Sequence, residues 1–175
     1  MNPLKTYTIQ YVGLPEGNHS FKYHINNPFL ALFEHDIYKD VNIDVMLQLN
    51  KHDNLITLLF NINGNITTNC DICLDNLIVP VAVTKAIIVK PAGTNPLDAD
   101  QDEVIIAQND TEINIAQHIY DFITLSIPLK NVHPLNEIGK PTCNAETLKE
   151  IQKHLTGNNQ QKKSDPRWDK LKKLS

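Results

Sequence analysis

Val41, Ile43, Val45, Leu47 and Leu49 stand at every second position, with Asn42, Asp44, Met46 and Gln48 between them. A period of two puts all five on one face of an extended strand, whereas a helix would scatter them around its circumference. That face has to be covered, so the chain is committed to a sheet. Asn50 to Asn54 supplies turn-forming residues, and Leu55 to Asn61 is again strand-like, which predicts a long hairpin. The second arm, LITLLF, hardly alternates and is expected to be covered on both faces.

Shorter strands are expected on both sides of the hairpin. Tyr7, Ile9 and Tyr11 alternate, Gly13, Pro15 and Gly17 break the run, and Phe21, Tyr23 and Ile25 alternate again. Asn27-Pro28 reads as a cap and first turn for a short helix over Phe29 to Phe33. LIVPVAVTKAIIV is β-branched, and Pro80 within it predicts an edge or a bulge. Pro91 to Gln101 reads as loop and Val104 to Ala107 as a short strand. Asn114 is placed to cap a helix with Gln117 at the capping-box position, and Ile115, Ile119, Phe122 and Ile123 fall on one face of it. Pro128 ends that helix, and PLKNVHPLNEIGKPTC is irregular. A further helix is predicted from the cap Asn144, burying Leu148, Ile151 and Leu155 and stopping at Gly157. The expected fold is α+β: a mostly antiparallel sheet body, two or three helices in the C-terminal half, and a short basic C-terminal helix.

At 175 residues and 41% apolar, the chain can bury a real core. We expect one α+β domain over 1–157, a polar linker over 158–164 and a basic amphipathic tail over 165–175. The net charge of −4 argues against a body coated to grip nucleic acid. Charge is unevenly spread. Pro91 to Gln117 contains no Lys or Arg but carries Asp98, Asp100, Asp102, Glu103, Asp110 and Glu112, while Lys162 to Lys173 carries six bases against Asp165 and Asp169. MNPLKTYTIQ has no apolar stretch of signal-peptide length, and no run reaches the roughly 20 apolar residues that span a bilayer. Three cysteines is an odd number, so a reducing cytoplasm is expected, with no membrane partner. The oligomeric state is left open.

Cys70 and Cys73 form a C-x-x-C between two strand-forming runs, a spacing that lets both sulfurs face one soft cation. His133 and Cys143, both in the irregular segment after the longer helix, would complete a Cys₃His set for one structural zinc. The competing reading is a plain β-turn, with Cys143 a small buried residue ahead of a helix. A redox pair is disfavoured, because such a pair normally opens a helix and Cys73 leads into LDNLIVPVAV. His19, His24, His35, His52, His118 and His154 read as surface or strand-face residues, with His118 expected to be exposed. The acidic run from Asp98 to Glu103 reads as a solvated loop. There is no phosphate loop, nucleophile elbow or H-E-x-x-H, so no catalytic set is expected. The alternative is a small thiol- or metal-dependent enzyme using the C-x-x-C.

Arg167, Lys170, Lys172 and Lys173 surround Trp168 on a predicted short helix with Leu171 and Leu174. Cations beside an aromatic ring suit RNA, through phosphate contacts and base stacking. Such a helix is too short to stand alone, so it either packs on its own domain or orders on a partner.

Three segments occur together in a characteristic order: Cys70-Asp71-Ile72-Cys73-Leu74, Pro128 to His133 with Cys143 following, and Asp165 to Leu174, which reads DPRWDKLKKL. In these the chain resembles the YceD family, the large ribosomal RNA subunit accumulation proteins. The resemblance implies a non-enzymatic factor acting in synthesis, processing or stability of large-subunit ribosomal RNA. The partners it implies are ribosomal RNA or a pre-ribosomal particle, while the acidic run would suit a basic ribosomal protein. Family members often carry a basic residue where this chain has Asp71-Ile72, so the resemblance carries no RNA contact over to that turn.

Overall fold

The computed structural model describes residues 3–34, 38–52, 55–91, 103–106 and 111–157, with side chains described in all of these except 90–91, 103–106 and 156–157. The alternating run becomes β3 (Asp40–His52), and the chain returns as β4 (Leu55–Asn69), paired antiparallel from Asp40↔Thr67 to His52↔Leu55. β3 runs further than expected, since Asn50, Lys51 and His52 all belong to it. Burial alternates along β4 even where the sequence does not. Ile56, Leu58, Phe60 and Ile62 are buried, Leu59 is half-buried and Leu55 is 41% exposed. One face of LITLLF therefore carries the core, and the expectation of two-sided cover is corrected.

β5 (Asn76–Pro91) pairs antiparallel with β4 from Asn69↔Asn76 to Ile56↔Val89. β2 (Gly17–Ile25) pairs with β3 on the other side, so Gly17, at φ +118, begins this strand rather than breaking the chain before it. β6 (Glu103–Ile106) runs parallel to the end of β5, giving the order β2-β3-β4-β5-β6. Among the described residues, Pro80 lies where β5 has β4 as its only neighbour. Its missing N–H costs no ladder bond there, as an edge proline requires. The fold is α+β with a mostly antiparallel sheet.

A 3-10 helix (Pro3–Tyr7) precedes β1 (Thr8–Gln10), so Tyr7 closes a helical turn instead of opening the strand. β1 pairs with β7 (Glu112–Asn114), a strand too short to show a period in the sequence. α1 (Asn27–Ala31) starts from Asn26, whose side chain makes no cap bond. Asn27 does not cap. Its side-chain NH₂ donates to Lys39 O at 2.8 Å and its Oδ1 accepts from the Val41 N–H at 2.8 Å, pinning α1 to the start of β3.

α2 (Ala116–Ser126) stops ahead of Pro128 and buries Ile119 and Ile123 fully. Asn114 Oδ1 accepts from the Ala116 N–H at 3.0 Å, but Gln117 donates to Asp121 at 2.9 Å, so the capping box is not made. His118 is half-buried near Phe122 rather than exposed, and burial lowers its pKa. α3 (Ala145–Gly157) runs to the predicted stop.

The chain parts into two compact units. The first, Met1–Asn69 with Asn76–Asn131, holds the sheet, α1, α2 and a continuous apolar core. Its aromatic side chains link up: Tyr7 meets Phe29 at 4.8 Å, Phe29 meets Phe33 at 5.3 Å, and Phe33 stacks on Tyr120 at 4.4 Å. The second, in its described part, comprises Cys70–Asp75 and residues 132–157.

Candidate metal centre

Six residues separate the end of β4 from the start of β5, and they fold into a tight turn. The Cys70 N–H donates to Asp75 O at 2.8 Å, and the Leu74 N–H donates back to Cys70 O at 2.9 Å. Leu74 takes φ +63, a left-handed conformation that a leucine adopts only under constraint. The Ile72 N–H lies 3.5 Å from Cys70 Sγ. Folded this way, the turn gathers both thiols on one side, and Cys70 and Cys73 are buried.

The second pair of candidates is held by a loop between His133 and Cys143. Pro134 O accepts from the Thr142 N–H at 3.3 Å and from its hydroxyl at 2.7 Å, and Leu135 bridges to Pro141. At the tip, Asn136 Oδ1 accepts from the N–H groups of Ile138 and Lys140 at 3.1 and 2.8 Å, and Gly139 takes φ +75. These bonds close the loop and bring its two ends together. Asn144 caps α3 as predicted, its Oδ1 accepting from the Glu146 N–H at 3.0 Å. Leu148 and Ile151 are half-buried, but Leu155 is 71% exposed, so the predicted buried stripe of α3 stops short of Leu155.

Turn and loop meet one ligand to one ligand. Cys70 Sγ lies 3.8 Å from Cys143 Sγ, and Cys73 Sγ lies 3.4 Å from His133 Nδ1. All four candidate atoms lie within 4.8 Å of one another. Zinc–sulfur bonds of about 2.3 Å and zinc–nitrogen bonds of about 2.0–2.1 Å set the edges of a tetrahedron at about 3.8 Å for S···S and about 3.6 Å for S···N. The two contacts match those edges. A disulfide requires sulfurs about 2.05 Å apart, and all three cysteines are free thiols. Sequence reasoning grouped the four residues that the fold brings together but not their pairing, nor the Asn136–Lys140 turn that sets the loop; the Asn and Gly of NEIG are the signal it had for that turn.

Electrostatics separates the thiols. Burial opposes ionisation of Cys70, but the backbone N–H groups of Cys73, Ile72 and His133, with the Cys73 thiol, outweigh it and lower the pKa to about 6. Cys143 is pushed the other way, to about 11, by burial and by the neighbouring Cys70 and Cys73 sulfurs. Cys70 is thus prepared as a thiolate, and a cation would be needed to ionise Cys143. Two thiolates crowded together in a buried site demand positive charge between them.

The same geometry weighs against enzymatic use of the pair. Four protein ligands fill a tetrahedral ion and leave no open position for water or substrate. Cys73 leads into β5 and not into a helix, so the pair does not open a helix as a redox pair does. His24 pairs with Asp44 at 2.9 Å on the exposed sheet face, as a strand-face residue would. Arg167, Trp168, Lys170, Lys172 and Lys173, and Asp98, Asp100 and Asp102 of the acidic run, lie outside the described residues. No helix among the described residues is long and apolar enough to cross a membrane.

Comparison with known families gives one finding. The family model described as large ribosomal RNA subunit accumulation protein YceD matches residues 58–175, a span that includes most of β4, both cysteine segments and the basic C-terminal segment. No curated protein and no solved structure matches this chain.

Proposed function

Because this chain belongs to the YceD family of large ribosomal RNA subunit accumulation proteins, we propose that it supports accumulation of large-subunit ribosomal RNA as a non-enzymatic binding factor of the cytoplasm. The observation that carries this reading is the extent of the match. It takes in the metal-ligand set and the basic segment together, so the reading rests on the same residues that the physical argument singles out. The family description is of an accumulation protein and not of a catalyst.

In this proposal Cys70, Cys73, His133 and Cys143 hold one structural zinc. The ion joins the turn after β4 to the loop ahead of α3. Contact with ribosomal RNA or a pre-ribosomal particle is assigned to Arg167, Trp168, Lys170, Lys172 and Lys173. The charge balance supports that division. Residues 1–161 carry 10 basic against 18 acidic side chains, so the body repels phosphate and suits a cationic ribosomal protein instead.

Deleting residues 162–175 tests the assignment. The truncated protein should keep its melting temperature and lose most of its co-sedimentation with large-subunit particles. The binding that the full chain shows should fall steeply with salt, as phosphate contacts do. Unchanged co-sedimentation after deletion would remove the segment from the mechanism.

A further inference from the structure

The two units differ in what fills their interiors. In the first, buried Ile, Leu, Val and Phe side chains from the strands and from α1 and α2 form one apolar cluster. In the second, Cys70, Cys73 and Cys143 are the buried side chains among the described residues. His133, Ile72, Val132, Leu148 and Ile151 are half-buried, while Leu74, Leu135, Ile138 and Leu155 are 65–82% exposed. The interior of the second unit is therefore the ligand set itself.

We infer that the second unit folds around its metal: Cys70–Asp75 and residues 132–157 are ordered while a thiophilic divalent cation is bound and open when it is withdrawn, and the sheet-bearing unit stays folded in both states. This inference rests on the zinc reading proposed above.

Three physical points carry it. A segment with few buried apolar groups cannot offset the entropy lost on ordering. A 13-residue helix such as α3 is marginal by itself, and its apolar residues are at most half-covered. Turn and loop, 60 and 73 residues apart in the chain at Cys73–His133 and Cys70–Cys143, meet there through ligand atoms, and the His133 N–H also bonds the Cys70 sulfur. Without the ion, a weak S–H···S contact and a weak sulfur–imidazole contact remain at those points. With it, four coordinate bonds close the long loop, and metal binding becomes folding of this unit.

Hydrogen exchange on the full-length chain tests this, with zinc binding measured first by competition against a chromophoric chelator. In zinc-loaded protein, peptides covering 70–75 and 132–157 should be protected. After chelation under reducing conditions they should exchange at close to the unstructured rate, at least tenfold faster. Peptides from β3 and β4 should stay protected, and added zinc should restore the original pattern. The His133→Cys variant, which keeps four ligands, should retain metal and protection, whereas Cys143→Ser should lose both from the second unit and leave β3 and β4 unaffected.

Protein that binds no zinc would overturn both this inference and the zinc reading. Protein that binds zinc but keeps 132–157 protected after verified removal would overturn this inference alone. So would loss of protection in β3 and β4 together with the second unit.

Discussion

Gly64 shows how much a single position can demand. It sits opposite Ile43 in the β3–β4 ladder, and a Cβ there would meet Asn42 O and the Ile43 Cα at 2.2 and 2.6 Å. Both are backbone atoms of the neighbouring strand and have no rotamer to escape into. Gly64→Ala should therefore force the strands apart and destabilise the sheet unit by roughly 1–3 kcal/mol, the usual cost of overpacking. Chemical denaturation would measure this, and an unchanged midpoint would show that the ladder is looser than described. At the metal site the scale is the same but the currency is protons. Cys143 must lose a proton to bind, whether its thiol is held near 11 in the folded site or lies at its ordinary value in an open chain. His133 must be neutral as well. Apparent zinc affinity should rise by at least tenfold between pH 6 and pH 8 in chelator competition. A flat profile would mean that the thiols are not ligands.

At the scale of elements, the hairpin was the most legible part of the chain. Val41 to Leu49 alternates strictly, and a period of two admits one structure. The other arm shows where the sequence misleads: LITLLF is apolar at successive positions, yet Leu59 is half-buried and Leu55 exposed, because hydrophobicity does not say which face receives a neighbour. Asn144 caps α3 as predicted, but the cap expected at Asn27 was misplaced for a related reason. Asn side chains bond whichever backbone group comes within reach, and Asn27 serves β3 instead of α1. Asn27→Ala should remove two hydrogen bonds at the α1–β3 contact and lower the stability of the sheet unit by roughly 1–3 kcal/mol. Zinc content should not change, and a shift in metal stoichiometry would show that the two sites are coupled. The cluster of Cys70, Cys73, His133 and Cys143 was legible as residue types in irregular segments, but its pairing was not. Nothing local in the sequence says that Cys70 meets Cys143 and Cys73 meets His133.

For the whole molecule, two kinds of interior lie in one chain. A sheet unit holds itself together by burying aliphatic and aromatic side chains. A smaller unit, formed from the turn after β4 and the segment that follows residue 131, gathers its buried thiols around a site of metal-binding size. The family match runs through both and reaches the basic segment, so the proposed ribosomal RNA role and the proposed zinc site stand on one stretch of sequence. The most direct test is the metal content of full-length protein purified without chelator, beside Cys70→Ser and Cys143→Ser. About one zinc per chain, lost from both variants, is the predicted result, since a structural site takes four protein ligands and each serine substitution removes one. Carefully reduced wild-type protein with no bound zinc, or variants that keep the full amount, would contradict the account.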